Sequence, residues 1–207
     1  MNHDVLIAAS LFSFVSSITP GPNNMMMLAS GVNFGFRRSV PHWLGICGGF
    51  TFMLCAVGLG LHTLLSDHPA LYDLLRYAGS AYLIWMAWRL ATATAAPTAS
   101  TSQDDDASDS AARPLGVWAA AAFQWVNPKA WVMAVTAMSA YLPARAQAID
   151  VVVLALLFGV INLPCVACWA GGGAALRRFL QDPLRLRIFN ISMALALLAS
   201  LYPMLVT

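Results

Sequence analysis

Apolar residues run through this chain in long blocks, not in stripes of helical or strand period. Six blocks stand out: Val5–Phe34, Pro41–Leu64, Leu71–Leu90, Leu115–Leu142, Val151–Gly172 and Ile188–Val206. Each is about 20 residues or longer, the length a helix needs to cross a hydrocarbon core of roughly 30 Å. The pattern predicts an all-α polytopic membrane protein with six transmembrane helices. Between the third and fourth blocks lies Ala91–Arg113, rich in Ala, Thr, Ser and Asp and carrying Asp104, Asp105 and Asp106. It has almost no large apolar residue to bury and reads as a disordered acidic linker. The chain then divides into a first three-helix repeat (1–90), a cytoplasmic linker (91–114) and a second three-helix repeat (115–207).

Composition narrows the class. The chain is 59% hydrophobic and 10% charged, with a mean hydropathy of +0.69. Soluble domains carry roughly 25% charged residues, so these charges cannot cover a water-facing surface. Net charge is +2, and no basic patch is interleaved with aromatics, which excludes a nucleic-acid binder. The opening Met-Asn-His-Asp lacks the basic segment of a signal peptide, so the first block is expected to stay as a span. Charge also orients the spans. Arg37, Arg38, Arg89, Arg113, Arg177, Arg178, Arg185 and Arg187 fall on one side, against Arg76 and Arg145 on the other. The positive-inside rule puts the larger group in the cytoplasm and both termini outside. Trp43, Trp88, Trp118 and Trp169 then fall near the inner interface, and Tyr72, Tyr141 and Tyr202 near the outer one.

The chain also looks doubled. A shift of about 108 residues lays Pro20 on Pro128 and Arg37 on Arg145, and three spans per half give the halves opposite orientation. Inverted repeats with interrupted helices in matching places mark secondary transporters. The first interruption is Thr19-Pro20-Gly21-Pro22-Asn23-Asn24. Each proline lacks an N–H, so Pro20 frees the carbonyl of Ser16 and Pro22 that of Ile18. Half-helices over Val5–Ile18 and Pro22–Phe34 are expected, tolerated at membrane depth only if protein or a wet cavity surrounds the break. The second half-helix presents unpartnered N–H groups and a positive dipole end, which suits a carboxylate.

The second interruption is Gln124-Trp125-Val126-Asn127-Pro128-Lys129, where Pro128 frees the carbonyl of Gln124. Lys129 lies near the middle of its block. A charge at bilayer depth costs roughly 3 kcal/mol on insertion scales, and an intramembrane ionisable residue is a functional hypothesis by default. No Asp or Glu lies deep in any block, so a substrate carboxylate is the natural partner for Lys129. The substrate ammonium would use the freed carbonyls of Ser16, Ile18 or Gln124, or the side chains of Asn23 and Asn127. The candidate substrate-binding residues are Pro20, Gly21, Pro22, Asn23, Asn24, Gln124, Asn127, Pro128, Lys129 and, where Pro164 bends the fifth span, Asn162.

Other signals are weaker. Cys47, Cys55, Cys165 and Cys168 lie in apolar blocks and read as small buried hydrophobes, the Cys165-Cys168 spacing included. His42 and His62 are expected at the interfaces. Gly45, Gly49 and Gly171 to Gly173 read as close-packing positions. No catalytic constellation, phosphate loop or paired carboxylates are present, so no enzyme activity, cofactor or metal is expected.

The motif Thr19-Pro20-Gly21-Pro22-Asn23 resembles the lysine exporter (LysE/RhtB) superfamily, in the branch of homoserine/threonine and cysteine/O-acetylserine exporters. The likeness extends through Gly35-Phe36-Arg37-Arg38, Gly79-Ser80-Ala81-Tyr82, Trp85-Met86-Ala87-Trp88 and Gln124 to Lys129. It implies secondary active efflux of small or neutral amino acids across the bacterial inner membrane, with protons as the candidate coupling ion and a homo-oligomer as a candidate assembly. It carries over Pro20, Gly21, Pro22, Asn23, Asn127, Pro128 and Lys129. A passive channel and a non-transporting scaffold are the alternative readings. The topology is directly testable: an outside-confined thiol reagent should modify cysteines placed at Asn2 and Thr207 but not one at Ser102. Opposite accessibility of the two ends would remove the inverted repeat.

Overall fold

The computed structural model describes residues 3–61, 69–93, 113–143 and 145–200, and every regular element among them is helical. The run Asp104 to Asp106 and most of the linker lie outside the described residues, as do His62 and Tyr202. Helix α1 spans His3–Ile18 and α2 spans Pro22–Phe34, their axes bent by 51°. Pro22 occupies the first turn of α2, where a missing N–H costs nothing. Gly35 ends α2 at φ +83°, a left-handed position suited to glycine. After a 3₁₀ turn at Arg37–Ser39, α3 runs Val40–Ala56 and continues through a π turn, Val57–Leu61. Helix α4 covers Pro69–Ala91.

The next apolar block is again divided. Helix α5 covers Val117–Phe123, a 3₁₀ turn Gln124–Val126, and α6 Pro128–Tyr141. Asn127 between them is extended (φ −91°, ψ 110°), the conformation a following proline imposes. By helix start, Pro128 therefore matches Pro22, two residues from the proline that the 108-residue shift aligns. Helix α7, Ala148–Leu176, opens with a reciprocal Gln147–Asp150 capping box and carries Pro164 inside it. Helix α8 is Pro183–Ala199, with Asp182 accepting from the Arg185 N–H at 2.9 Å. Among the described residues, Arg37–Leu61 and Ala148–Phe179 are each long and apolar enough to cross a membrane, and α1 with α2 qualify as one bent pair.

Helix α7 is the hub: α1, α2 and α3 all pack on it, α3 also packs on α5, and α4 on α8. Ala9, Phe50, Met53, Ala134, Leu154 and Phe158 form one buried cluster. Met26, Leu83, Phe123 and Leu197 form another. The closest approaches use glycine. A Cβ on Gly31 would run into the Ala170 carbonyl, and one on Gly173 into the Leu28 carbonyl, so α2 and α7 touch backbone to backbone. Gly45 and Gly49 bring α3 equally close to Val117 and Ala121 of α5. In lipid, where apolar surface gains nothing by leaving its solvent, such close packing holds helices together.

The structure adds detail to two expectations, on His42 and the tryptophans, and corrects one, on the cysteines. His42 is 2% exposed and enclosed among helices, and neither ring nitrogen has a hydrogen-bond partner. Cys168 is exposed and Cys55 only partly buried, so just Cys47 and Cys165 act as buried hydrophobes; all four thiols are free. Trp43 and Trp169 point their indole N–H groups at backbone carbonyls inside the bundle, whereas Trp88 and Trp118 do stay exposed.

The α2–α7 contact predicts a stability test. Gly31→Val or Gly173→Val should destabilise the protein by about 1–3 kcal/mol through overpacking, read as a lowered thermal midpoint in detergent. Gly48→Ala, whose added Cβ meets nothing within 4 Å, should leave the midpoint at or above wild type.

Candidate functional site

The two interrupted helices meet where each lacks backbone partners. At the first break the freed carbonyls are taken up one by one. Thr19 Oγ1 donates to Ser16 O at 3.0 Å, and the indole of Trp169, from α7, donates to Ile18 O at 3.0 Å. Asn24 Nδ2 donates back to Ser17 O at 2.7 Å and Thr19 O at 2.8 Å, fastening α2 to the end of α1. At the second break Asn127 N–H donates to Gln124 O at 3.3 Å, and the Trp131 indole donates to Trp125 O at 2.8 Å. Asn127 Oδ1 accepts from the Lys129 N–H at 3.1 Å and caps α6.

Lys129 joins the two breaks. From the first turn of α6 its Nζ donates to Thr19 O at 2.7 Å, Thr19 Oγ1 at 3.0 Å and Pro20 O at 3.2 Å. Gly21 leaves room for that crossing: a Cβ there would sit 2.6 Å from Lys129 Cδ. Beside it, Asn23 and Gln124 form a reciprocal amide pair at 2.8 and 3.2 Å, with Gln124 Nε2 also donating to Ala120 O at 2.9 Å.

These groups surround a cavity of about 20 Å³, close to the least space that holds one water molecule. Of the candidates named from sequence, Gly21, Asn23, Asn24, Asn127, Lys129 and Asn162 line it; Pro20, Pro22, Gln124 and Pro128 do not. Pro20 is exposed, and Gln124 is fully buried against Asn23. Asn162 donates to Cys47 Sγ at 3.7 Å. The carbonyls of Ser16, Ile18 and Gln124, expected as ammonium ligands, each accept one hydrogen bond from a protein donor.

Sequence reasoning missed three members. Ser17 is 4% exposed, borders the cavity, and its hydroxyl has no partner. Thr19 supplies two of the three acceptors of Lys129. Trp169 closes the Ile18 carbonyl from 151 residues away. Only Thr19 carried a signal, its place inside the proline motif. No acidic residue lines the cavity, and no metal-binding group of three or more His, Cys, Asp or Glu occurs among the described residues.

Comparison with known proteins finds relatives along nearly the whole chain. Residues 14–200 match the family model of the LysE type translocator. The chain is 34% identical over 200 residues to the cysteine/O-acetylserine efflux protein of Escherichia coli O139:H28 (strain E24377A / ETEC), covering 96% of each chain. The proteins of that name from Escherichia coli K12 and Shigella sonnei (strain Ss046) are each 34% identical over 199 residues, covering 95% of each chain. No solved structure matches it. The match runs through both proline-interrupted helices and nearly the whole length, and the chain therefore belongs to the LysE family of translocators.

Proposed function

We propose that this protein is a secondary exporter of small neutral amino acids, cysteine or O-acetylserine foremost, carrying them out of the bacterial cytoplasm. The relatives' names support the cargo, and the site supports the mechanism. The observation that carries the reading is Lys129: a cation at the junction of two broken helices, held by carbonyl and hydroxyl oxygens and, among the described residues, faced by no acidic side chain. A substrate carboxylate supplies the missing counter-charge. The unpartnered Ser17 hydroxyl and the amide of Asn162 border the same cavity and are the proposed contacts for the rest of the zwitterion.

At about 20 Å³ the cavity is too small for an amino acid, so this conformation is closed around the site, and loading needs the breaks to part. The helix pairing supports a rocking motion of two inverted halves. Exchanging spans one with four and two with five turns the α1/α2–α7 contacts into the α5/α6–α3 contacts, while α3–α7 and α4–α8 map onto themselves. Six spans in two such halves, with the arginine-rich ends in the cytoplasm, complete the proposed topology.

Binding of a carboxylate beside Lys129 favours its protonated form, so proton and substrate binding strengthen each other. In proteoliposomes, trans substrate should accelerate wild-type exchange of O-acetylserine, as for a carrier and unlike a channel. Lys129→Met should lower that exchange at least tenfold and abolish its pH dependence. Wild-type rate and pH profile in Lys129→Met would make the lysine structural and refute the mechanism.

Gly21→Ala should act through the same lysine by pushing Lys129 off its three acceptors. It is expected to lower exchange severalfold alone and to add nothing in the Lys129→Met background, a non-additivity that a double-mutant cycle reads directly. Additive losses would show that Gly21 acts through backbone packing instead.

A further inference from the structure

The cavity at the broken helices has two kinds of wall. One is polar, with Asn127 and Lys129 at the start of α6, Asn24 at the start of α2, Ser17 on α1 and Asn162 on α7. The other presents side chains of carbon, hydrogen and sulfur only: Phe50 of α3, Ala130 and Met133 of α6, and Val166 of α7. On the transport reading above, the substrate's carboxylate lies on Lys129 and its ammonium against Ser17 and Asn162. The side chain on the α-carbon is then left with the apolar wall.

Helix geometry sets the distance between the two walls. Met133 stands four residues after Lys129, and Val166 four residues after Asn162. Each apolar residue therefore shares a helix face with a polar one, a single turn of roughly 5.4 Å away. A side chain of only a few heavy atoms bridges that distance. Packing backs the wall. Phe50, Ala130 and Met133 are 3%, 3% and 7% exposed and belong to the cluster that holds Met53 and Phe158. Val166 is 1% exposed and packs with Ile46 and Cys47. An aromatic ring and a β-branched side chain held in this way yield little. Met133 yields more readily, because its unbranched thioether chain turns about three bonds. Ala130, one turn before Ala134 on the same helix, keeps the wall shallow beside it.

We infer that Phe50, Ala130, Met133 and Val166 form the side-chain pocket of the exporter and determine which amino acids it carries, with Met133 as the movable limit on side-chain bulk. The pocket rests on the transport reading and adds to it the residues that choose among amino acids. It takes an uncharged side chain up to the bulk of O-acetylserine and refuses two classes. The side chain of glutamate is nearly the same size as that of O-acetylserine, but its charge would lose water and gain no partner on this wall. The ring of phenylalanine would overfill the space and force the packed wall apart.

The test is exchange by the full-length protein in proteoliposomes, with kcat/KM measured for O-acetyl-L-serine, reduced L-cysteine, L-phenylalanine and L-glutamate. Wild type should favour O-acetyl-L-serine over phenylalanine and over glutamate at least tenfold each, the order of discrimination that pocket contacts supply. Met133→Ala should raise the ratio of phenylalanine to O-acetylserine at least tenfold. Ala130→Val should lower O-acetylserine exchange at least tenfold while cysteine, whose side chain is shorter, keeps most of its rate. Met53→Ala makes the same truncation in the same cluster at a residue outside the cavity lining, and should leave the ratios as in wild type. Each ratio is taken within one preparation, so loss of folded protein does not move it. An unchanged phenylalanine ratio in Met133→Ala, an equal gain in Met53→Ala, or parallel losses of O-acetylserine and cysteine in Ala130→Val would overturn the pocket. Wild-type exchange of glutamate equal to that of O-acetylserine would overturn it as well. Wild type that exchanges none of the four amino acids would refute the transport reading instead, so the two failures are distinguishable.

Discussion

A backbone interrupted inside an apolar slab has no water to turn to, and the organisation of this bundle follows from that constraint. Pro20, Pro22 and Pro128 strip N–H donors from the backbone where α1 meets α2 and where α5 meets α6. The deficit is met by donors brought from elsewhere. Trp169 of α7 closes the Ile18 carbonyl, and Trp131 closes that of Trp125. Each interruption thus has an indole, a donor with no acceptor to satisfy in return. Lys129 performs the same service for Thr19 and Pro20, with the difference that it brings a charge.

Those long-range bonds need short distances between helices. Gly31 and Gly173 let the backbones of α2 and α7 touch, and that contact brings Trp169 within reach of the end of α1. Gly45 and Gly49 set α5 against α3 in the same way. The small residues are therefore part of the polar design: a helix pair held farther apart would leave the Ile18 carbonyl without its indole. Reciprocal amide pairs then tie both ends of α2, Asn23 with Gln124 and Asn33 with Asn190. In the proposed cycle these neutral pairs are the contacts that can exchange for substrate or water without leaving a buried charge behind.

How legible this was from sequence depended on the type of residue. Uninterrupted apolar blocks announce a membrane bundle because the bilayer allows little else. Proline positions name the freed carbonyls because the missing N–H is a covalent fact, and so Ser16, Ile18 and Gln124 could be written down from spacing. Lys129 was conspicuous because charge at that depth is expensive. The membrane class, the two interruptions and the lysine were all determined by the chain read alone.

The partners were decided only by the tertiary structure. Nothing in the spacing says that Asn24 turns back to Ser17 and Thr19, that Asn23 saturates Gln124, or that Trp169 belongs to a break 151 residues away rather than to an interface. His42 sits near the start of a span and reads as interfacial, yet packing of α2, α4 and the segment before α5 around it removes it from solvent. The physical reason is common to all of them. Local sequence determines which backbone groups go unsatisfied, whereas the side chain that satisfies each one is chosen by helix–helix distance and rotation, which only the assembled bundle sets.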